Sequence, residues 1–155
     1  MTDPCMTCEL SAARDEPDHP DWDRIIRTEH WDLAHAFDSS HLGWLVLITR
    51  THRSSIADLT DLEAAEIGPL TKAVSVALRD VTGCSKTYLA QFAEHPAHQH
   101  VHIHVVARTD DLNPNHRGPF VFAELGAAEE ARVPEADLDQ LAHDLRAHPA
   151  LAGHQ

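Results

Sequence analysis

Positive charge is scarce in this chain. Twelve Lys and Arg stand against 25 Asp and Glu, a formal net charge of -13. A polynucleotide-binding surface leaves a basic footprint, so the composition argues against such a partner. A small nucleotide stays open, because imidazoles, backbone amides and helix N-termini hold phosphate locally. Long apolar runs are missing too. None approaches the roughly 20 residues of a membrane span, and Met1-Thr2-Asp3-Pro4 does not resemble a signal peptide, so no membrane partner is expected. Cysteine is sparse, with three in all. Two of them, Cys5-x-x-Cys8, suit a metal or redox role in a reducing compartment rather than a disulfide framework, which reads as cytoplasmic. No internal repeat or second core is visible, and residues 1–155 read as one domain.

Histidine is abundant, with 14 in the chain. Three fall in His100-Val101-His102-Ile103-His104-Val105-Val106, where strict alternation predicts a half-buried strand. Side chains two apart on a strand share a face, roughly 6–7 Å from one another. The three imidazoles therefore look one way, while Val101, Ile103 and Val105 face the core. Imidazole can attack, donate a hydrogen bond or bind a metal near neutral pH. Three in register fit either a catalytic group or one shared metal.

Earlier in the chain, residues 1–22 read as loop, because the cysteine pair is followed by a Pro/Asp-rich run from Asp15 to Asp21. Arg24 to Thr28, Trp31 to Phe37 and Leu42 to Thr49 read as strands, the last apolar nearly throughout and therefore central. Thr60-Asp61-Leu62-Glu63 fits a capping box. Apolar residues from Leu62 to Val81 then recur at helical spacing. Pro69 kinks that run or starts a second helix, and Gly83 ends it. Thr87 to Phe92 and His100 to Arg108 complete five strands. Residues 109–155 form a C-terminal extension, turn-rich to Gly118, with an amphipathic helix from Pro134 to His148 striped by Leu138, Leu141, Ala142 and Leu145. Strands, then helix, then strands argue for α+β with a mainly antiparallel sheet. Cys84 reads as a core residue. The Cys5-x-x-Cys8 pair by itself fits a metal site, a redox pair or chance, and with no helix expected to begin there a low-pKa thiol is disfavoured.

His100 to Val106 fits H-φ-H-φ-H-φ-φ, with φ apolar, at all seven positions. On these residues the chain resembles the histidine-triad superfamily of small nucleotide hydrolases and transferases, from about Cys5 to about Gly126. The resemblance implies a five-stranded antiparallel sheet with helices packed on it, and a homodimer. It implies that His102 attacks the α-phosphate of a purine nucleotide derivative to give a nucleotidyl-histidine, with His104 on the phosphoryl oxygens and His100 orienting the strand. It also implies a structural zinc on Cys5, Cys8, His52 and His100, which would tether residues 1–22, and no catalytic cofactor. Asp38 falls where relatives hold the ribose hydroxyls.

Gln91 and Glu94, at the end of the fourth strand, are candidates to face the phosphates or a dimer partner. Two departures stand out. His95-Pro96-Ala97-His98-Gln99 occupies the place of a glycine and serine that contact phosphate in many relatives, which makes His95 and His98 either replacements for those contacts or exposed loop histidines. Trp44 stands where many relatives carry a fourth histidine. The expected activity is hydrolysis or nucleotidyl transfer on dinucleoside polyphosphates, nucleoside phosphoramidates or adenylylated amines. The alternatives are a nucleotide-binding or sensing module with weak turnover, and a hydrolase whose three strand histidines share a catalytic zinc.

Overall fold

The structure, a computed structural model, describes residues 5–155. Helix α1 spans Met6–Ala13. The strands are β1 (Ile26–Arg27), β2 (Trp31–His35), β3 (Trp44–Thr49), β4 (Lys86–Ala90) and β5 (His102–Arg108), with α2 (Asp61–Thr82) between β3 and β4 and α3 (Glu135–Arg146) near the C-terminus. The five strands form one antiparallel sheet in the order β1-β2-β3-β5-β4. The fold is α+β, as the strand-helix-strand order implies.

The sheet has two unlike faces. Leu33, Leu45, Leu47, Ile103 and Val105 pack into one core with Leu70, Val74, Ala77 and Leu78 of α2 and Leu141, Ala142 and Leu145 of α3. The stripe read along α3 is buried as expected. On the other face the register pairs Val46 with His104 and Ile48 with His102, so apolar side chains flank both histidines. β3 is central because its β-branched and aliphatic run can satisfy neighbours on both sides.

Helix α2 begins where the sequence signals it. The Thr60 hydroxyl accepts from Glu63 N (3.2 Å), and the Glu63 carboxylate accepts from Thr60 N (2.7 Å). It ends at Gly83, whose φ of +71° only glycine adopts without penalty. Pro69 does not divide it. Pro69 and Ala65 both face solvent, so the carbonyl that loses its i+4 donor lies on the wet side of the helix. Gly43 is required just before β3. Its φ is +93°, and an added Cβ would stand 2.9 Å from the Cβ of Ala107.

The N-terminal segment departs from the expected loop. Met6–Ala13 is helical, because Met, Glu, Leu and Ala favour helix and the Pro/Asp-rich run begins only afterwards. The turn-rich stretch after β5 likewise contains short 3-10 turns at Pro114–His116 and Gly118–Glu124. That segment is stitched to the turn after β2: Ser40 N donates to Glu124 O, Ala127 N to Asp38 O and Val133 N to Ser39 O. Among the described residues, no helix is long and apolar enough to cross a membrane.

Candidate active site and metal centre

A cavity of about 540 Å³ lies over the histidine face of the sheet. His102 and His104 form its floor with Val46 and Ile48. Thr7 and Leu10 of α1 wall one side, and Phe122 and Leu125 of the C-terminal segment wall another. Phe37 and Asp38 line it from the turn after β2, and Phe92, Glu94, His95 and His98 from the loop after β4. Ala93, between Phe92 and Glu94, is a non-glycine residue at φ +57°, a conformation that costs about 1 kcal/mol or more and concentrates at functional sites.

His102 Nδ1 donates to the His100 carbonyl at 2.6 Å. That bond fixes the proton on Nδ1 and leaves the Nε2 lone pair free in a ring that lines the cavity. Burial lowers the His102 pKa, partly opposed by the same carbonyl, so the ring is neutral near physiological pH. His104 sits edge-on to His102, ring centroids 4.9 Å apart. Trp44 Nε1 donates to His104 Nδ1 at 3.0 Å, and burial pushes His104 down to about 3. Phe122 packs edge-on against both His104 (5.1 Å) and Trp44 (5.2 Å).

The first histidine of the motif does something else. His100 is fully buried, and its Nε2 donates to Thr49 O at 2.7 Å. Its Nδ1 faces Cys5 Sγ (3.7 Å) and Cys8 Sγ (3.5 Å), while Cys8 Sγ is 3.2 Å from His52 Nδ1. All four ligand atoms lie within 4.8 Å of one another. Tetrahedral zinc at its usual bond lengths would set sulfur and nitrogen about 3.6 Å apart, so two thiols and two imidazoles already stand at zinc-binding separations. The carbonyl of Thr49 supplies the outer hydrogen bond that aims a ligating imidazole. The Cys/His set is compatible with zinc. Three strand histidines sharing one metal are not what forms here: His100 turns to the cysteines, and the other two Nδ1 atoms are taken by a carbonyl and an indole.

A helix does begin at Met6, directly after Cys5, contrary to the expectation that argued against a redox pair. Burial and the neighbouring Cys5 nevertheless push the Cys8 thiol up to about 11, opposite to what a redox-active thiolate needs.

The remaining candidates divide. Asp38 lines the cavity, with one carboxylate oxygen accepting from Gly126 N at 3.1 Å. Glu94 and His98 line it as well, and His98 Nδ1 is 2.9 Å from Thr7 Oγ1. Gln91 is not among the lining residues; Phe92 is. Cys84 is buried in the core. Arg14 reaches the cavity but is committed to Asp23, Nη2 to Oδ1 at 2.8 Å. Thr7, Phe122 and His35 were not singled out from the sequence. His35 bridges β2 and β3, accepting from Gly43 N and Trp44 N through Nε2 while Nδ1 donates to Ala36 O. An isolated histidine in an apolar strand carries no signal of such a role.

The sheet, its helices and the paired histidines on the floor of a largely apolar cavity define the histidine-triad fold. Solved structures agree. A zinc-bound histidine triad family protein from Mycobacterium smegmatis superposes with a TM-score of 0.66 at 21% identity, over 96% of this chain and 94% of that one. A histidine triad protein from Bradyrhizobium japonicum gives 0.66 at 21%, over 79% and 87%. A Hit-like protein involved in cell-cycle regulation from Bartonella henselae gives 0.67 at 14%, over 95% and 97%. No family model and no curated protein matches the chain.

Proposed function

We propose that the chain is a histidine-triad hydrolase or nucleotidyl transferase acting at the α-phosphate of a purine nucleotide derivative. One observation carries the reading: the His100 carbonyl holds the proton of His102 on Nδ1, and the opposite nitrogen belongs to the cavity. A neutral imidazole so oriented is a competent nucleophile. Attack by Nε2 gives a nucleotidyl-His102, which water then resolves, dividing one difficult displacement into two easier ones. His104 and His98 face the phosphoryl oxygens, and Asp38 accepts from the ribose through the oxygen not engaged by Gly126. Phe37 and Ile48 offer apolar surface for the base. Candidate substrates are dinucleoside polyphosphates, nucleoside phosphoramidates and adenylylated amines.

Zinc belongs to this reading as a structural ion on Cys5, Cys8, His52 and His100, where it would tie α1 to the approach of β5. A homodimer belongs to it as well. β4 is an edge strand with Lys86 and Leu89 exposed, and sedimentation tests the pairing.

Incubation of wild type and His102→Ala with diadenosine tetraphosphate and an adenosine phosphoramidate tests the reading. Wild type should release the mononucleotide from at least one of the two, and the variant should lose about 10⁴-fold or more in kcat/KM on that substrate while keeping its metal. Nucleotide binding without turnover in wild type would instead make this a binding module.

A further inference from the structure

Trp44 is the element of the site that the nucleophile reading leaves unused. It is fully buried at the start of β3, and its indole N–H is directed at His104 Nδ1, 3.0 Å away. An indole nitrogen donates and never accepts. The His104 Nδ1 it meets must therefore carry a lone pair, which puts the ring's proton on Nε2. Phe122 packs edge-on to both rings, so neither ring can swing away without displacing Phe122 or breaking the bond between them. His104 cannot also gain a proton on Nδ1 without breaking the indole bond inside an apolar enclosure, and its burial acts in the same direction.

A ring locked in this way hydrogen-bonds from Nε2 but has no proton to give up. A neutral imidazole is not an acid near physiological pH; general acid catalysis needs the imidazolium. We propose that Trp44 is a positioning residue that locks His104 as a neutral Nε2–H donor, and that the site therefore favours leaving groups that depart as stable oxyanions over amines. The inference rests on the nucleotidyl-histidine reading. The lone pair of His102 Nε2 forms a bond to the α-phosphorus. The bond from phosphorus to the leaving oxygen breaks, and its electron pair departs on that oxygen as the anion, with no proton transferred. In the second step water oxygen bonds to phosphorus, the P–N pair returns to His102 Nε2, and the water's proton passes to solvent. His104 Nε2–H stabilises charge on the phosphoryl oxygens in both steps. An acid anhydride, such as that of a nucleoside polyphosphate, meets this demand. An amine does not, because its nitrogen must be protonated before it can leave.

Two measurements on the wild-type, zinc-loaded protein decide the matter. Nitrogen-15 NMR should give His104 an unprotonated, hydrogen-bonded Nδ1 and a protonated Nε2; a protonated Nδ1 overturns the lock. First-turnover release of phenol from a series of aryl esters of AMP, alike in charge and differing in phenol acidity, reads the leaving-group demand. The rate should fall roughly fivefold or more for each unit rise in phenol pKa. A fall under about twofold means that some group, His98 or Glu94 among them, protonates the leaving oxygen, and overturns the specificity.

Trp44→Phe removes the donor and keeps an aromatic ring. It should shift His104 to a mixture of tautomers and lower kcat about tenfold with KM within about twofold; an unchanged tautomer and rate count against the lock. If the variant fails to fold, the two wild-type measurements still decide. Absence of turnover from every ester defeats the nucleotidyl-histidine reading and this inference with it, whereas a shallow slope with normal turnover defeats only the inference.

Discussion

The candidate metal corner and the cavity corner are made of the same residue on the same stretch of chain, and they differ in what the second nitrogen of each ring is given to. His100 gives Nε2 to Thr49 O and turns Nδ1 to two sulfurs. His102 gives Nδ1 to His100 O and keeps Nε2 for the cavity. His104 has its Nδ1 occupied by Trp44. Imidazole chemistry is thus assigned by backbone carbonyls and one indole, not by the histidines themselves. The corners also touch, since the carbonyl that orients His102 belongs to His100. On the proposed reading, a ligand to the zinc is at the same time the support of the nucleophile.

Removing His100 tests this division most severely. His100→Ala should lose bound zinc, from about one ion per chain to almost none. The melting temperature should fall on the order of 10 °C, as several kcal/mol of metal-linked stability disappear at about 2–4 °C per kcal/mol. Elemental analysis and a thermal melt on the same samples check both. His102→Ala should leave both quantities unchanged. If the two variants lose metal alike, the corners are not separate.

A smaller effect should appear where α1 bridges them. Thr7 lies between the two cysteines in sequence, and its hydroxyl meets His98 Nδ1 at 2.9 Å, while Met6 N donates to Ala97 O. Helix α1 therefore braces the loop between β4 and β5. Thr7→Val keeps the shape and deletes one hydrogen bond, worth about 1 kcal/mol. KM for the nucleotide should rise about fivefold with zinc content unaltered. An unchanged KM would mean that His98 has no part in binding.

Much of this was legible beforehand, for definite reasons. The alternation of His100 to Val106 marked the strand, its faces and the core positions of Val101, Ile103 and Val105, because a period of two admits one arrangement, although the strand begins at His102, two residues later than the pattern. The Thr60–Glu63 box and Gly83 marked both ends of α2, since each is a local bond or a local φ. Cys5, Cys8, His52 and His100 converge as the family resemblance implies, although they are scattered over almost a hundred positions. The cavity walls were not legible. Phe122 reaches His104 through a C-terminal segment held to residues 38–40 in large part by backbone bonds, and backbone bonds leave no mark on residue type. Thr7 looked like part of a loop, because the Pro/Asp-rich run after it outweighed the short helix-forming run around it. Gln91 follows the end of β4 at Ala90, and the cavity is lined by Phe92 and Glu94, on either side of the left-handed Ala93, but not by Gln91.

The smallest predicted effect concerns the way the metal corner is braced from the opposite face of the sheet. Glu63 closes the α2 cap and also takes the Arg53 guanidinium at 3.1 Å, and the Arg53 carbonyl accepts from Val101 N at 2.6 Å. Arg53 follows the ligand His52, and Val101 lies between His100 and His102. The start of α2 is thus two hydrogen bonds from the backbone that carries two ligands. It makes no such link to Trp44 or Phe122. Thr60→Ala removes the capping hydroxyl at a cost of about 1 kcal/mol, a drop of about 2–4 °C in melting temperature. If that slack reaches the corner, zinc should pass to a chelator a few-fold faster while the first-turnover rate stays the same. An equal change in both rates would mean that the strand transmits strain past His100, and that the two corners respond as one body.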